Sequence, residues 1–318
     1  MPLTDAMHEP LLYAIPAFVA FMVLEIVSLR VLADEAPERY RGYEFRDARA
    51  SIVMGLGSLL VNGTARVGAL IGYTALFALT PLRLDAHRWY TWLLTLLAVD
   101  LIWYCYHRAS HRVRLMWAGH QAHHNSVYFN LSTAVRQKWN PWFELLFWVP
   151  LPLLGVPPWL IFTAFSINLI FQFFVHTERI GRLPRAVEFV FNTPSHHRVH
   201  HASDALYLDR NYGGILIIWD RLFGTFQAEA HRPTYGLTTP VGTYNIVRLQ
   251  FHEYAAILRD LRASRRWRDR LGYVFGPPGW QPKPARGPSD ADAAGSRLGD
   301  STPWRVSHVD GAVREEVR

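Results

Sequence analysis

The sequence has little cysteine and little lysine. Cys105 is the only cysteine among 318 residues, which excludes a disulfide framework and a cysteine-based zinc or haem-attachment site. Lysine occurs only at Lys138 and Lys283, so arginine supplies most of the positive charge behind a net charge of +7. These arginines lie mostly beside apolar blocks and in the C-terminal third, without a basic stripe of stacking aromatic residues. The charge therefore favours a membrane-flanking role, and no nucleic-acid partner is expected.

Long apolar blocks are abundant, and half of the residues are hydrophobic. Residues 11–33, 51–81 and 89–106 are each long enough to cross about 30 Å of hydrocarbon at about 1.5 Å per residue. The second block is interrupted near residues 62–66, where Arg66 follows Asn-Gly-Thr-Ala. We predict three membrane spans within residues 1–106.

Residues 142–175 hold two further apolar legs, separated by four prolines. Each leg reaches about 25 Å, which is short for a membrane crossing. This length predicts a hydrophobic helical hairpin that enters the membrane and returns to the same side. Residues 229–275 are predicted to form amphipathic surface helices, and residues 276–318 a disordered tail. The predicted fold is therefore an all-α integral membrane protein, capped by a histidine-rich helical domain over residues 107–228.

The loops differ in their content of arginine and lysine. Residues 34–50 carry four arginines and residues 107–141 carry five basic residues, whereas the 82–88 loop carries two. This asymmetry predicts a multi-pass protein whose histidine-rich domain faces the cytoplasm, in a bacterial inner membrane.

Ten of the 15 histidines lie within 95 residues. They recur at i, i+4 or at i, i+3, i+4, offsets that place imidazoles on one helix face, one turn apart, where two nitrogens can hold one ion. Protonated imidazoles at this density would repel one another, which favours a metal site. The ten predicted ligands are His107, His111, His120, His123, His124, His176, His196, His197, His200 and His201.

The number of imidazoles favours two ions over one. A structural zinc closes with four ligands and a catalytic zinc keeps three, so that ten are too many for one site. Imidazole accepts iron, copper, nickel and zinc, and ligand type alone does not decide between them. Arg108 stands where a zinc protease of the H-E-x-x-H type has its glutamate. A metal transporter would carry its ligands inside the spans, whereas these lie just outside them.

Several polar residues flank the predicted ligands. Asp100 precedes His107 by two helical turns, where it either orients a ligand imidazole or makes a structural helix contact. Glu178, Asn130 and Asn211 are further candidates for orienting ligands, with turn and capping roles as the alternative for the asparagines.

The motifs HRASH, HQAHH and HRVHH resemble the eight-histidine signature of the fatty acid hydroxylase/sterol desaturase superfamily. The stretches NLSTAVRQ, QFFVHTE, FNTPSHHRVHH and NYGGILIIWDRLFGTF are similar to its alkylglycerol monooxygenase branch. The resemblance covers residues 90–228. It implies two iron ions, O2 activation, an external electron donor and hydroxylation of a lipid C–H bond in the bilayer. In the alkylglycerol branch, it implies ether cleavage with tetrahydrobiopterin as reductant.

We therefore predict a membrane-bound di-iron lipid monooxygenase that oxidises an alkyl or acyl chain delivered through an apolar tunnel. Arg66 and Arg136 are candidates for holding a polar headgroup, although pairing with acids inside the bundle explains them equally well. Two alternatives stay open. One is a fatty-acyl, sterol or carotenoid hydroxylase or desaturase, and the other is a non-catalytic metal-binding membrane protein.

Overall fold

The structure is a computed structural model that describes residues 10–31 and 41–283. These residues form helices and two isolated β-bridges, without a β-strand among them, which confirms the predicted all-α fold. The helices are α1 (Pro10–Val31), α2 (Phe45–Leu79), α3 (Trp89–Arg112), α4 (Arg114–His124), α5 (Leu131–Ala134), α6 (Trp142–Phe147), α7 (Pro150–Leu153), α8 (Pro158–Val175), α9 (Arg185–Val190), α10 (Pro194–His200), α11 (Ile218–Leu222), α12 (Ile246–Ala263) and α13 (Trp267–Phe275).

Among the described residues, three helices are long and apolar enough to span a membrane, namely α1, α2 and α8. Helix α3, predicted as the third span, is present but is not among them. Its buried face carries polar residues such as Thr91, Thr95 and Asp100, and it packs along α8. The membrane part of the fold therefore includes the second leg of the predicted hairpin.

Helix α2 runs without a break for 35 residues, about 52 Å at the usual rise per residue. The predicted interruption near residues 62–66 is therefore wrong, because the helix continues through Gly63. Two other glycines allow close packing. A Cβ at Gly55 would lie 2.7 Å from the Val135 carbonyl oxygen, and one at Gly57 would overlap the Trp139 ring.

The hairpin region has two unequal legs. Its first leg breaks into the short helices α6 and α7, since Pro150 and Pro152 cannot continue α6. Its second leg, α8, is a continuous helix of 18 residues, most of them apolar, that ends at Val175 and has His176 as its C-cap. Helices α3 and α8 enclose the largest hydrophobic core, which includes Val99 and Leu160.

Helix α12 packs on α4, so that this part of the predicted surface region covers the histidine-rich domain. Arg114 at the start of α4 joins the two helices through ion pairs to Glu253 at 2.7 Å and to Asp260 at 2.6 Å. Most of the predicted disordered tail, residues 284–318, lies outside the described residues.

Candidate metal centre

Two of the predicted ligands project from the C-terminal end of α3. His107 and His111 are four residues apart and both are buried. His107 Nδ1 lies 2.8 Å from the main-chain oxygen of Tyr212, which fixes the proton on Nδ1 and leaves the Nε2 lone pair free.

Helix α4 contributes His120, His123 and His124 from its last two turns. All three are buried. His123 Nδ1 donates to the main-chain oxygen of Arg136 at 3.1 Å, so its Nε2 also carries a lone pair.

The third set comes from α10, which begins with Pro194 at its first turn and ends at His200. His197 and His200 lie on the helix and His201 caps it. His200 Nδ1 donates to the main-chain oxygen of Arg210 at 2.9 Å.

His176 joins these helices from the end of α8. Its Nδ1 donates to the main-chain oxygen of Gln172 at 2.6 Å, and its Nε2 lies 3.2 Å from His123 Nε2 and 2.9 Å from His197 Nε2. The apolar hairpin therefore returns the chain to the histidines of α4 and α10.

Nine buried histidines form two groups, and within each group the candidate ligand atoms lie within 4.8 Å of one another. The first group is His107, His111, His120, His124 and His200; the second is His123, His176, His197 and His201. Each group draws its members from at least three segments of the chain.

The donor atoms fit two cations. His123 and His176 both give their Nδ1 protons to carbonyl oxygens, so two Nε2 lone pairs face each other at 3.2 Å. Such an arrangement is repulsive unless a cation accepts both lone pairs. In addition, Nε2 of His111, His200 and His201 is buried without a hydrogen-bond partner in the described structure. Buried polar atoms are normally paired, and binding of a metal ion would provide the missing partner for these atoms.

Burial also keeps these imidazoles in the neutral form that binds metal. It lowers the pKa of His176 to about 3 and that of His200 to about 4. The pKa of His124 is held well below its ordinary value by burial and by the neighbouring imidazoles. At neutral pH the histidines therefore require no deprotonation before a metal binds.

His196, also predicted as a ligand, does not join either group. Its Nδ1 faces the main-chain oxygen of Phe191 at 3.3 Å, and its Nε2 lies 3.6 Å from Glu188. The structure therefore directs this imidazole toward α9 and away from the other nine.

The polar residues expected to orient the ligands bind elsewhere. Asp100 accepts hydrogen bonds from Asn168, from Trp219 and from the main-chain amides of residues 215 and 216. Glu178 accepts from the Arg41 amide and the Tyr235 hydroxyl. Asn130 caps α5, and Asn211, with a positive φ of 57°, donates to the His196 and Gln227 carbonyl oxygens. None of these four side chains hydrogen-bonds to a clustered imidazole in the described structure.

Main-chain carbonyl oxygens orient several of the clustered imidazoles instead, and one buried acid holds such a carbonyl in place. Asp220 accepts from the Tyr212 amide at 2.8 Å and the Gly213 amide at 2.7 Å. Tyr212 in turn accepts the His107 proton. Asp220 could not be predicted from the sequence, because no local spacing links it to His107.

An apolar cavity of about 800 Å³ reaches the histidines from the membrane helices. His107, His120, His123, His176 and His197 form one part of its wall. Its other walls come mainly from α1, α2 and α8.

The two arginines predicted to bind a headgroup differ in their surroundings. Arg66 lines the cavity, with its guanidinium 4.9 Å from the centre of the Phe165 ring. Arg136 is buried away from the cavity lining and forms an ion pair with Asp47. The structure therefore supports the acid-pairing alternative for Arg136.

Residues 92–225 match the family model for fatty acid hydroxylase. The chain is 39% identical over 285 residues to alkylglycerol monooxygenase from Homo sapiens, covering 87% of this chain and 61% of the relative. It is 39% identical over 279 residues to the alkylglycerol monooxygenase of Danio rerio, covering 86% and 60%.

A more distant relative is an ornithine lipid hydroxylase from Rhizobium tropici, 27% identical over 199 residues, with 58% of this chain and 59% of the relative covered. No solved structure matches the chain. The chain spans about three fifths of the length of the alkylglycerol monooxygenases named above. These findings confirm the resemblance indicated by the histidine motifs: residues 92–225 match the fatty acid hydroxylase family, and the chain is similar to alkylglycerol monooxygenases over most of its length.

Proposed function

We propose that this protein is a membrane-bound lipid monooxygenase that cleaves alkylglycerol ethers. The observation that carries the proposal is the meeting of two buried histidine groups with a long apolar cavity. The similarity to alkylglycerol monooxygenases adds the substrate class.

The nine clustered histidines would hold a pair of iron ions. When bound, an iron pair supplies the O2 activation that hydroxylation of a C–H bond requires. The protein holds the imidazoles neutral, fixes their orientation through carbonyl oxygens and excludes water with the apolar cavity wall. His196 remains a weaker candidate, since it lies outside both groups.

The position of polar groups in the cavity favours a substrate whose polar end lies close to the metals. Lys138 and Glu144 form a buried ion pair at 2.6 Å and both line the cavity. Lys138 Nζ lies 5.1 Å from the centre of the Tyr106 ring, next in sequence to His107. In an alkylglycerol the reactive carbon is one bond from the ether oxygen, and this carbon must lie beside the metals. The glycerol would therefore lie beside the Lys138–Glu144 pair, and the alkyl chain along the apolar wall. Arg66 is a further candidate for contact with the glycerol.

The proposed reaction replaces one hydrogen of the carbon beside the ether oxygen by a hydroxyl group. One oxygen atom of O2 enters the product, and the other leaves as water after taking up two electrons and two protons from outside. The resulting hemiacetal breaks its C–O bond to give a fatty aldehyde and glycerol. An external donor must supply the electrons, and tetrahydrobiopterin is the donor that the resemblance implies.

The test is to incubate iron-loaded protein in vesicles with an alkylglycerol, O2 and a reductant. We expect a fatty aldehyde, formed only when a reductant is present, and tetrahydrobiopterin should support the highest rate. A product that keeps its full carbon skeleton with a new hydroxyl or double bond would instead favour an acyl-lipid, sterol or carotenoid hydroxylase or desaturase. Iron-loaded protein that oxidises none of these lipids would favour a metal-binding role without catalysis.

We also propose that the histidine-rich domain faces the cytoplasm of a bacterial inner membrane. The basic residues in the 107–141 segment support this topology, while the 82–88 loop carries only Arg83 and Arg88. In intact cells whose outer membrane has been permeabilised, a membrane-impermeant thiol reagent should label Arg88→Cys in a Cys105→Ser background. Labelling only after the inner membrane is disrupted would reverse the topology.

A further inference from the structure

The cavity wall contains two helices, α1 and α2, that have no extensive interface with each other in the described structure. Helix α1 packs on α5 and α8, and α2 packs on α5, α6, α7, α8 and α12. Both α1 and α2 nevertheless line the cavity. In the described structure, the cavity therefore lies between two helices that are held apart by the same neighbours.

Several residues of α1 and α2 line the cavity and are also exposed on the outside of the protein. Leu12 and Val19 of α1 are 53% and 51% exposed, and Leu56 and Val67 of α2 are each 62% exposed. A side chain with both properties stands at the rim of an opening. Because all four are apolar and lie on helices that are candidate spans, the opening faces the hydrocarbon of the bilayer.

The cavity is also long. Trp159 and His176 both line it and are 17 positions apart along and just beyond α8, about 25 Å at the helical rise. One leaflet of a bilayer is about half of the roughly 30 Å hydrocarbon core. The cavity therefore has room for a whole extended chain of a membrane lipid.

We infer that the gap between α1 and α2 is a lateral portal, through which a single hydrocarbon chain of a bilayer lipid passes from the membrane to the histidine groups. The inference rests on the proposed function only for the fate of that chain after it has entered. An apolar rim within the membrane excludes a water-soluble ligand by this route, since a polar ligand would have to leave water without new partners.

Gly63 of α2 provides a direct way to close the portal. It lines the cavity, and a Cβ built at this position meets no atom within 4 Å. Gly68 of the same helix has equally open surroundings but does not line the cavity. Both positions are helical, so the two substitutions change helix propensity alike. Gly63→Trp should project a large ring into the opening, and Gly68→Trp should project the same ring into lipid.

The experiment uses the full protein in phosphatidylcholine vesicles that contain a single-chain alkyl phospholipid with a diazirine on its chain. After illumination, peptide mapping should locate adducts on the inner cavity wall, at residues such as Phe162 and Leu169, in the wild type and in Gly68→Trp. These adducts should be lost in Gly63→Trp, while both variants keep the metal content of the wild type. The smaller pair Gly63→Leu and Gly68→Leu repeats the comparison if tryptophan prevents folding.

Equal labelling of the inner wall in the Gly63 and Gly68 variants would overturn the portal, as would a wild type whose inner wall is never labelled. Labelling is independent of turnover. A wild type that labels as expected but oxidises no alkylglycerol would leave the portal standing and would refute the proposed function.

Discussion

Replacing Asp220 with alanine is expected to weaken metal binding, although this side chain hydrogen-bonds to none of the nine clustered histidines in the described structure. Asp220 accepts the amides of Tyr212 and Gly213, and it also accepts the Thr225 hydroxyl at 2.6 Å. The Tyr212 carbonyl oxygen then accepts the His107 proton at 2.8 Å. Removal of the carboxylate therefore releases the short segment that orients one ligand of the first group.

The size of the effect follows from these bonds. Two buried amides without an acceptor cost about 1–3 kcal/mol each, or about 2–6 kcal/mol together, if the segment keeps its position. The segment is expected to move instead, and the His107 ring then loses its orienting carbonyl. Loss of such a partner typically lowers metal affinity by about 10–100-fold.

The assay is competition between the purified protein and a chelator, with bound iron measured by elemental analysis, beside thermal unfolding. Asp204→Ala is a matched control, because Asp204 also accepts a main-chain amide, that of Thr234 at 2.7 Å. In the described structure, neither Asp204 nor the Thr234 amide that it accepts hydrogen-bonds to a clustered histidine. A folded Asp220→Ala protein with the iron affinity of the wild type would refute the connection through Tyr212.

Three further predictions address the histidines and the cavity wall. His197→Ala should lose bound metal while the neighbouring His196→Ala keeps it, as measured by metal content per chain; equal loss would place His196 among the ligands. Burial holds the pKa of His200 at about 4, below the ordinary 6.5, so that between these pH values the unfolded chain binds more protons than the folded chain. Metal-free protein should therefore lose stability as the pH falls from about 6.5 to 4. Denaturant unfolding at pH 7.5 and pH 5 checks this, and equal stability would contradict it. Lys138→Met should lower the stability by about 3–5 kcal/mol by leaving Glu144 buried and unpaired, and Glu144→Leu in the same chain should restore much of it in thermal unfolding.

The helical spacing predicted that histidines three or four residues apart share a face, but in the structure only the pairs four residues apart belong to one group. The geometry of the helix accounts for this division. His107 and His111 are four residues apart and belong to one group, as do His120 and His124. His123 follows on the same helix but points about 100° away from His124, since an α-helix has 3.6 residues per turn. It therefore joins the other group.

Contacts between distant segments could not be predicted in the same way. Asp100 precedes His107 by two turns, yet its carboxylate turns toward the amides of residues 215 and 216, more than a hundred positions later. Two amide donors and the Trp219 indole satisfy that buried acid better than one imidazole would. The partner of a buried acid depends on which loop the fold brings to it, and one sequence does not reveal that loop.

His196 shows where periodicity reaches its limit. It stands four residues before His200, at the spacing that defines ligand pairs elsewhere in the chain, and it is as deeply buried as its neighbours. The spacing predicts the direction in which a side chain points around the helix axis. It does not predict which neighbouring segment lies opposite that side chain at its position along the axis. Four residues of α10 separate His196 from His200 by about 6 Å along the axis. At that height the facing groups are Glu188 and the Phe191 carbonyl of the α9 segment, so the imidazole meets a carboxylate where its neighbours meet other imidazoles.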